Sequence, residues 1–248
     1  MKILLLNPNT SDVLTDQLAE VARKYAAAGT EIVPATGTFG VPYIANRAEA
    51  VIGANAALEI LAQQHRNVDG AILAAFGDPG LGAARELFDI PIVGLAEAGM
   101  LTACMVGKKF AIVTFSTALG AWYRECVEWN QLQDRCCAIR MLDQSFKSIG
   151  SVRDEKEALL AELANRAVEE DGADVIVLAG APLSGLADRI RDRVPVPMID
   201  CCAAAIKQIE GLVTMQLKAP EVGTFRRPGA KDTRGLNDLL AARIEHRD

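Results

Sequence analysis

From one end of the chain to the other, short apolar runs alternate with longer stretches in which apolar positions return at a helical period. Short runs without a polar face read as strands buried on both sides of a parallel sheet, and the periodic stretches as the helices that cover it. The pattern predicts strands over 2–6, 30–33, 71–75, 90–95, 109–114, 138–142, 175–178 and 194–199. It predicts helices over 11–28, 47–64, 81–88, 96–105, 118–129, 153–170, 183–191 and 203–217, with a short one over 236–245. Ser151, three residues before Asp154, has the spacing of a capping box at a helix start. Alternating strands and helices make the fold class α/β.

The chain also repeats itself. AILAAFGDPGL followed by FDIPIVGLAEA in the first half corresponds to VIVLAGAPLSGL followed by RVPVPMIDCCA in the second. Each is a buried strand, a turn containing Gly and Pro, a short helix, a strand entered through a proline and a helix start made of small residues. KILLLNPNTS and KKFAIVTFSTA open the two halves in the same way. The expected organisation is two similar Rossmann-like lobes, 1–108 and 109–215, facing each other about a pseudo-twofold axis. A tail, 216–248, packs over the body, and an exchange of strands or helices between lobes is left open.

Parallel sheets bind ligands beyond the carboxyl ends of their strands. A site between the lobes would therefore collect Asn9, Thr10 and Ser11, then Ala75, Phe76, Gly77 and Asp78, from one side. From the other it would collect Ser116 and Thr117, then Gly180, Ala181 and Pro182. The hydroxyls and backbone N–H groups at Asn9–Ser11 and Ser116–Thr117 suit an anion or a polarised carbonyl; they suit plain helix caps equally well. Asp78 is either a turn and cap residue or a general base at a strand end. Glu97 and Asp200 follow the proline-entered strands at similar places, where each either caps a helix or presents a carboxylate to the cleft.

Composition narrows the chemistry. The chain has 248 residues and a net charge of -6, with its basic residues scattered, which argues against a nucleic-acid partner. The apolar run after Lys2 is too short for a signal sequence or a membrane span, so a cytoplasmic protein without membrane contact is expected. Six cysteines without CxxC spacing predict free thiols, and two histidines, His65 and His246, are expected on the solvated surface. No GxGxxG or Walker loop is present. The expected partners are a small-molecule substrate and further copies of the chain in a homo-oligomer.

The stretches 7–11, 75–81, 93–98, 175–178 with 185–187, and Arg227-Pro228 resemble the Asp/Glu/hydantoin racemases, most closely the hydantoin and allantoin racemase branch. The resemblance implies a cofactor-independent enzyme of two lobes that inverts a carbon next to a carbonyl, with one cysteine per lobe moving the proton. Those two positions are Ala75 and Gly180 in this chain. The expected activity is accordingly that of a racemase or isomerase on a hydantoin-like or small carboxylate substrate, with Asp78 as the candidate base. The alternatives are a lyase or hydrolase that uses carboxylates and hydroxyls, and a small-molecule binding protein without catalysis.

Overall fold

The computed structural model describes residues 1–143, 145–217 and 219–248. β1 (Lys2–Asn7), β2 (Glu31–Thr36), β3 (Gly70–Leu73) and β4 (Ile92–Gly94) form one parallel sheet in the order β2-β1-β3-β4. β5 (Phe110–Thr114), β6 (Cys136–Met141), β7 (Val175–Leu178) and β8 (Met198–Asp200) form a second parallel sheet in the corresponding order β6-β5-β7-β8. The internal repeat is thus a repeat of topology. β8 begins four residues later than its apolar run, because Pro195 and Pro197 have no N–H to give to a ladder. Pro34 is tolerated inside β2 because that strand is an edge.

The helices are α1 (Asp12–Tyr25), α2 (Arg47–Gln64), α3 (Leu81–Leu87), α4 (Leu95–Val106), α5 (Gly120–Trp129), α6 (Val152–Asp171), α7 (Leu186–Ile190), α8 (Cys201–Thr214) and α9 (Asp238–Ile244). The single helix predicted over 183–191 is broken. A 3₁₀ turn at Ala181–Leu183 comes first, Gly185 adopts φ +85°, and only then does α7 start. Ser151 occupies the N-cap position of α6 but makes no capping bond, since its hydroxyl turns to the Glu155 carboxylate and the Ser148 carbonyl. His65 is likewise not solvated: its Nδ1 lies 2.9 Å from the Leu61 carbonyl at the end of α2 and its ring packs on Phe88. His246 is exposed. All six cysteines are free.

Successive β1 residues face opposite sides, as the period of a strand requires. Leu4 and Leu6 meet Ala57, Leu61 and Leu81 from α2 and α3, with Leu240 of α9 closing that layer. Ile3 and Leu5 belong instead to the larger core that runs between the two sheets. The tail returns to the first lobe, where the buried Arg243 of α9 pairs with Asp89 and Asp248. No helix among the described residues is long and apolar enough to cross a membrane.

Two helices cross over. α4 follows β4 of the first sheet but packs on β7 and β8 of the second, and α8 follows β8 but packs on β3 and β4 of the first. They also pack on each other. Small residues permit the approach: a Cβ on Gly99 of α4 would stand 2.6 Å from Cys201 Sγ and 3.4 Å from Val177 Cγ1. Gly211 of α8 has nothing within 4 Å. Gly99→Ala is expected to cost about 1–3 kcal/mol by overpacking. Gly211→Ala is expected to gain up to about 1 kcal/mol from helix propensity alone. Urea denaturation of the two variants checks the pair, and equal effects would mean that Gly99 is not at a tight crossing.

Candidate functional site

The loops at the carboxyl ends of β1, β3, β5 and β7 turn toward one another, and each lobe sends a helix onto the loops of the other. Gln17 of α1 donates to the carbonyls of Pro182 and Ser184, at 3.0 and 3.2 Å. In return α5 lays Trp122 over Gly77, whose added Cβ would lie 2.4 Å from the indole. Tyr123 packs on Phe76 with ring centroids 4.5 Å apart.

These contacts enclose a cavity of about 20 Å³ lined by Asn9, Leu14, Tyr43, Ile44, Ala75, Phe76, Trp122, Tyr123, Gly180, Ala181 and Pro182. Six of the residues predicted from sequence are therefore brought together: Asn9, Ala75, Phe76, Gly180, Ala181 and Pro182. The others lie off the cavity wall. Ser11 caps α1, with Oγ accepting from Leu14 N at 3.4 Å, and Thr10 gives its backbone N–H to the Val41 carbonyl. Ser116 accepts from Ala118 N, and Thr117 is exposed and donates to Asp143. Gly77 backs the Trp122 ring from outside.

Sequence reasoning missed Leu14, Tyr43, Ile44, Trp122 and Tyr123. Tyr43 and Ile44 come from the long connection between β2 and α2, whose place at the carboxyl end of the sheet was the available signal. The α5 aromatics had none, because they lie inside a helix and face the other lobe. Two of the three tyrosines and one of the two tryptophans nevertheless gather here. Tyr43 and Phe115 pack with centroids 5.7 Å apart and planes tilted by 45°, and Phe146 closes the cluster edge-on.

The polar groups of the cavity are neutral. Asn9 is buried, and its Oδ1 accepts from Asn7 Nδ2 and Ser11 N, both at 2.9 Å, which fixes the amide and leaves Nδ2 as the free donor. Tyr43 Oη is buried and meets no hydrogen-bond partner among the described residues. Burial pushes the Tyr43 phenol up, with the Glu49 charge adding to it. Burial also pushes Tyr123 well above its ordinary value, next to Tyr43 and against the Thr114 hydroxyl. Both remain protonated donors near neutrality. Among the described residues, no thiol, carboxylate or imidazole is on the wall. Cys126, Cys201 and Cys202 are buried, and burial raises each thiol far from the thiolate range.

Ala75, two residues beyond β3, is buried, and so is Gly180, two residues beyond β7. The φ of Gly180 is +112°, and an added Cβ would stand 2.8 Å from the Phe115 ring and 3.5 Å from Tyr123 Oη. A side chain at 180 thus requires both a strained backbone and a displaced ring.

Asp78 faces away from the cavity, at φ +47°, with Oδ1 accepting from Ala96 N at 2.9 Å and Oδ2 from Glu97 N at 2.8 Å. It caps α4 from a neighbouring loop. Gly94 is needed for that approach, since a Cβ there would be 2.2 Å from the carboxyl carbon. Glu97 itself pairs with Arg85, which also binds the Ile92 carbonyl. In the second lobe the link is reversed: Asp200 caps its own helix α8 through Cys202 N and Ala203 N and reaches back to Gly185 N at 2.5 Å. A groove of about 730 Å³ along β8, α7 and α4 is lined by Asp200 but by none of the residues expected in the loops after β1, β3, β5 and β7.

A family model described as Asp/Glu/Hydantoin racemase matches residues 3–209. The chain is 32% identical to the hydantoin racemase of Paenarthrobacter aurescens, covering 93% of this chain and 99% of that one. Among solved structures, the allantoin racemase from Klebsiella pneumoniae superposes with a TM-score of 0.91 at 34% identity, over 97% of this chain and 98% of its own. The allantoin racemase from Pseudomonas fluorescens gives a TM-score of 0.89 at 29% identity, over 95% and 100%.

Burial raises the Asp78 carboxyl from 3.8 to about 7, against the lowering effect of the two backbone N–H groups. A carboxyl raised by folding binds its proton more tightly in the folded state. Its stabilisation is present below a pH of about 4 and is lost as pH rises through about 7. The unfolding free energy of the wild type should therefore fall, by on the order of a few kcal/mol from this group, between those limits. Asp78→Asn cannot ionise and should flatten that slope in urea titrations at several pH values. Parallel slopes for the two proteins would assign the titration elsewhere.

Proposed function

We propose, for a chain that belongs to the Asp/Glu/hydantoin racemase family, that it is an isomerase acting on a small neutral hydantoin-like ring held between the two lobes. The observation that carries this reading is that Ala75 and Gly180, beyond equivalent strands of the repeat, line one cavity together with Tyr43 and Tyr123. The relatives named as hydantoin and allantoin racemases give the ligand class. The wall offers donors and no cation, so an amino-acid carboxylate would be buried without a partner there. A cyclic imide or ureide, in contrast, can accept from phenols and an amide without carrying charge in its ground state.

Removing the proton next to a carbonyl creates an enolate. Its charge grows on the carbonyl oxygen, where Tyr43 Oη, Tyr123 Oη and Asn9 Nδ2 would act as preorganised donors. The chain supplies no thiol at 75 or 180, so in this reading the proton is exchanged with solvent water rather than passed between two cysteines. Asp78 holds α4 in place and takes no part in proton transfer. The absence of a base from the wall favours one second reading, a binding protein for the same ligands.

Proton NMR in D2O with one enantiomer of a substituted hydantoin, and with allantoin, separates the two. The expected result is saturable deuterium entry at the α-carbon with matching loss of optical rotation, lowered on the order of 10²-fold in Tyr123→Phe and unaffected by iodoacetamide. Saturable thermal stabilisation by the ligand without exchange would establish the binding protein and sink the isomerase.

A further inference from the structure

The cavity is too small for the ligand class just proposed. About 20 Å³ holds roughly one water, and even an unsubstituted five-membered imide needs several times that volume. Something on the wall must move. Most of the wall is fixed. Asn9 is held by two hydrogen bonds, Gln17 ties α1 to the 182–184 loop, and Ala75, Gly180 and Ala181 are buried backbone at strand ends.

Trp122 differs from these residues. It lines both the inner cavity and an outer recess of about 400 Å³ bounded by Gly77, Pro79, Cys126, Trp129 and Asn130. Among the described residues it is the one aromatic side chain shared by the two spaces. Its indole rests on Gly77, where φ is +102° and the missing side chain leaves the ring its seat. No hydrogen bond to a described residue holds it there, so what keeps it in place is contact with Gly77 and with Tyr123, 5.8 Å away centroid to centroid. The recess into which the ring would swing is already open and lies beside it. Alongside, Arg47 of α2 and Glu125 of α5 form a two-pronged ion pair between the lobes, but both side chains are exposed, so it is a weak clasp.

We infer that Trp122 is the door between the outer recess and the inner cavity, and that its seat on Gly77 sets the size of molecule that can reach Ala75. The inference rests on the cavity being the ligand site, and its test does not need a hydantoin to bind. A thiol placed in the cavity by Ala75→Cys reports entry directly. Its alkylation by N-ethylmaleimide is followed by peptide mass mapping at residue 75, so that the natural cysteines are resolved from it. With Trp122 present, residue 75 should be modified slowly. In the Ala75→Cys, Trp122→Ala double variant it should be modified at least tenfold faster, with Trp122→Leu giving an intermediate rate in a better-packed protein.

Cys202, fully buried in the core between the sheets, serves as the internal reference. Faster labelling at 75 with Cys202 unchanged establishes the door. Equal rates at 75 with and without the indole overturn it, as does parallel acceleration at Cys202, which would mean general loosening. A door established in this way while no hydantoin is bound or exchanged would leave the gate standing and discard the substrate class.

Discussion

Two buried carboxylates join what the chain order separates. Asp78 leaves the β3 loop and binds the first N–H groups of α4, and Asp200 caps α8 while holding the Gly185 N–H beyond β7. α4 and α8 are the helices that each cross to the opposite sheet. Each carboxylate therefore fixes a strand-end loop to the start of a crossing helix. The donors at these helix starts have no partner within their own helices, and burying them unpaired would be costly. Because the same atoms satisfy the helices and position the loops, the site geometry and the interlobe packing form a single arrangement.

That arrangement explains the character of the cavity. Its walls come from loops at the carboxyl ends of two sheets and from helices α1 and α5, which reach across from the opposite lobe. The carboxylates of Asp78 and Asp200 are turned to helix N-termini, and Arg85 and Arg47 are engaged with Glu97 and Glu125. The space between is left to rings and hydroxyls. At 180 the backbone itself enforces glycine through its positive φ and the nearness of Phe115. Any side chain at 180 would therefore require rearrangement of this loop of the second lobe.

Fold likeness and chemistry have to be weighed separately here. Nearly the whole chain follows the allantoin racemases in space. What lines the cavity between the lobes is an enclosed set of neutral donors and apolar side chains. The same enclosure that makes such donors effective also shuts the cavity, which places the burden of access on the indole of Trp122.

The sequence by itself determined the α/β class, the strands and helices, and the twofold repeat, because apolar period and turn residues are local signals that burial on both faces of a sheet makes strong. It also determined that 9, 75, 76 and 180–182 lie together, since a repeated motif at strand ends fixes their place once the sheet is parallel. Only the tertiary structure decided that Thr10, Ser11, Ser116 and Thr117 serve caps and surface, and that Asp78 turns away from the cavity. A carboxylate in a Gly-Asp-Pro turn has the same sequence whether it faces a ligand or a helix start, and the helix start that captured it is eighteen residues farther along. Trp122 and Tyr123 were hidden for the same reason. Their neighbours, Gly77 and Phe76, belong to the other half of the chain, and the crossing of the helices, which no local pattern encodes, brings them into contact.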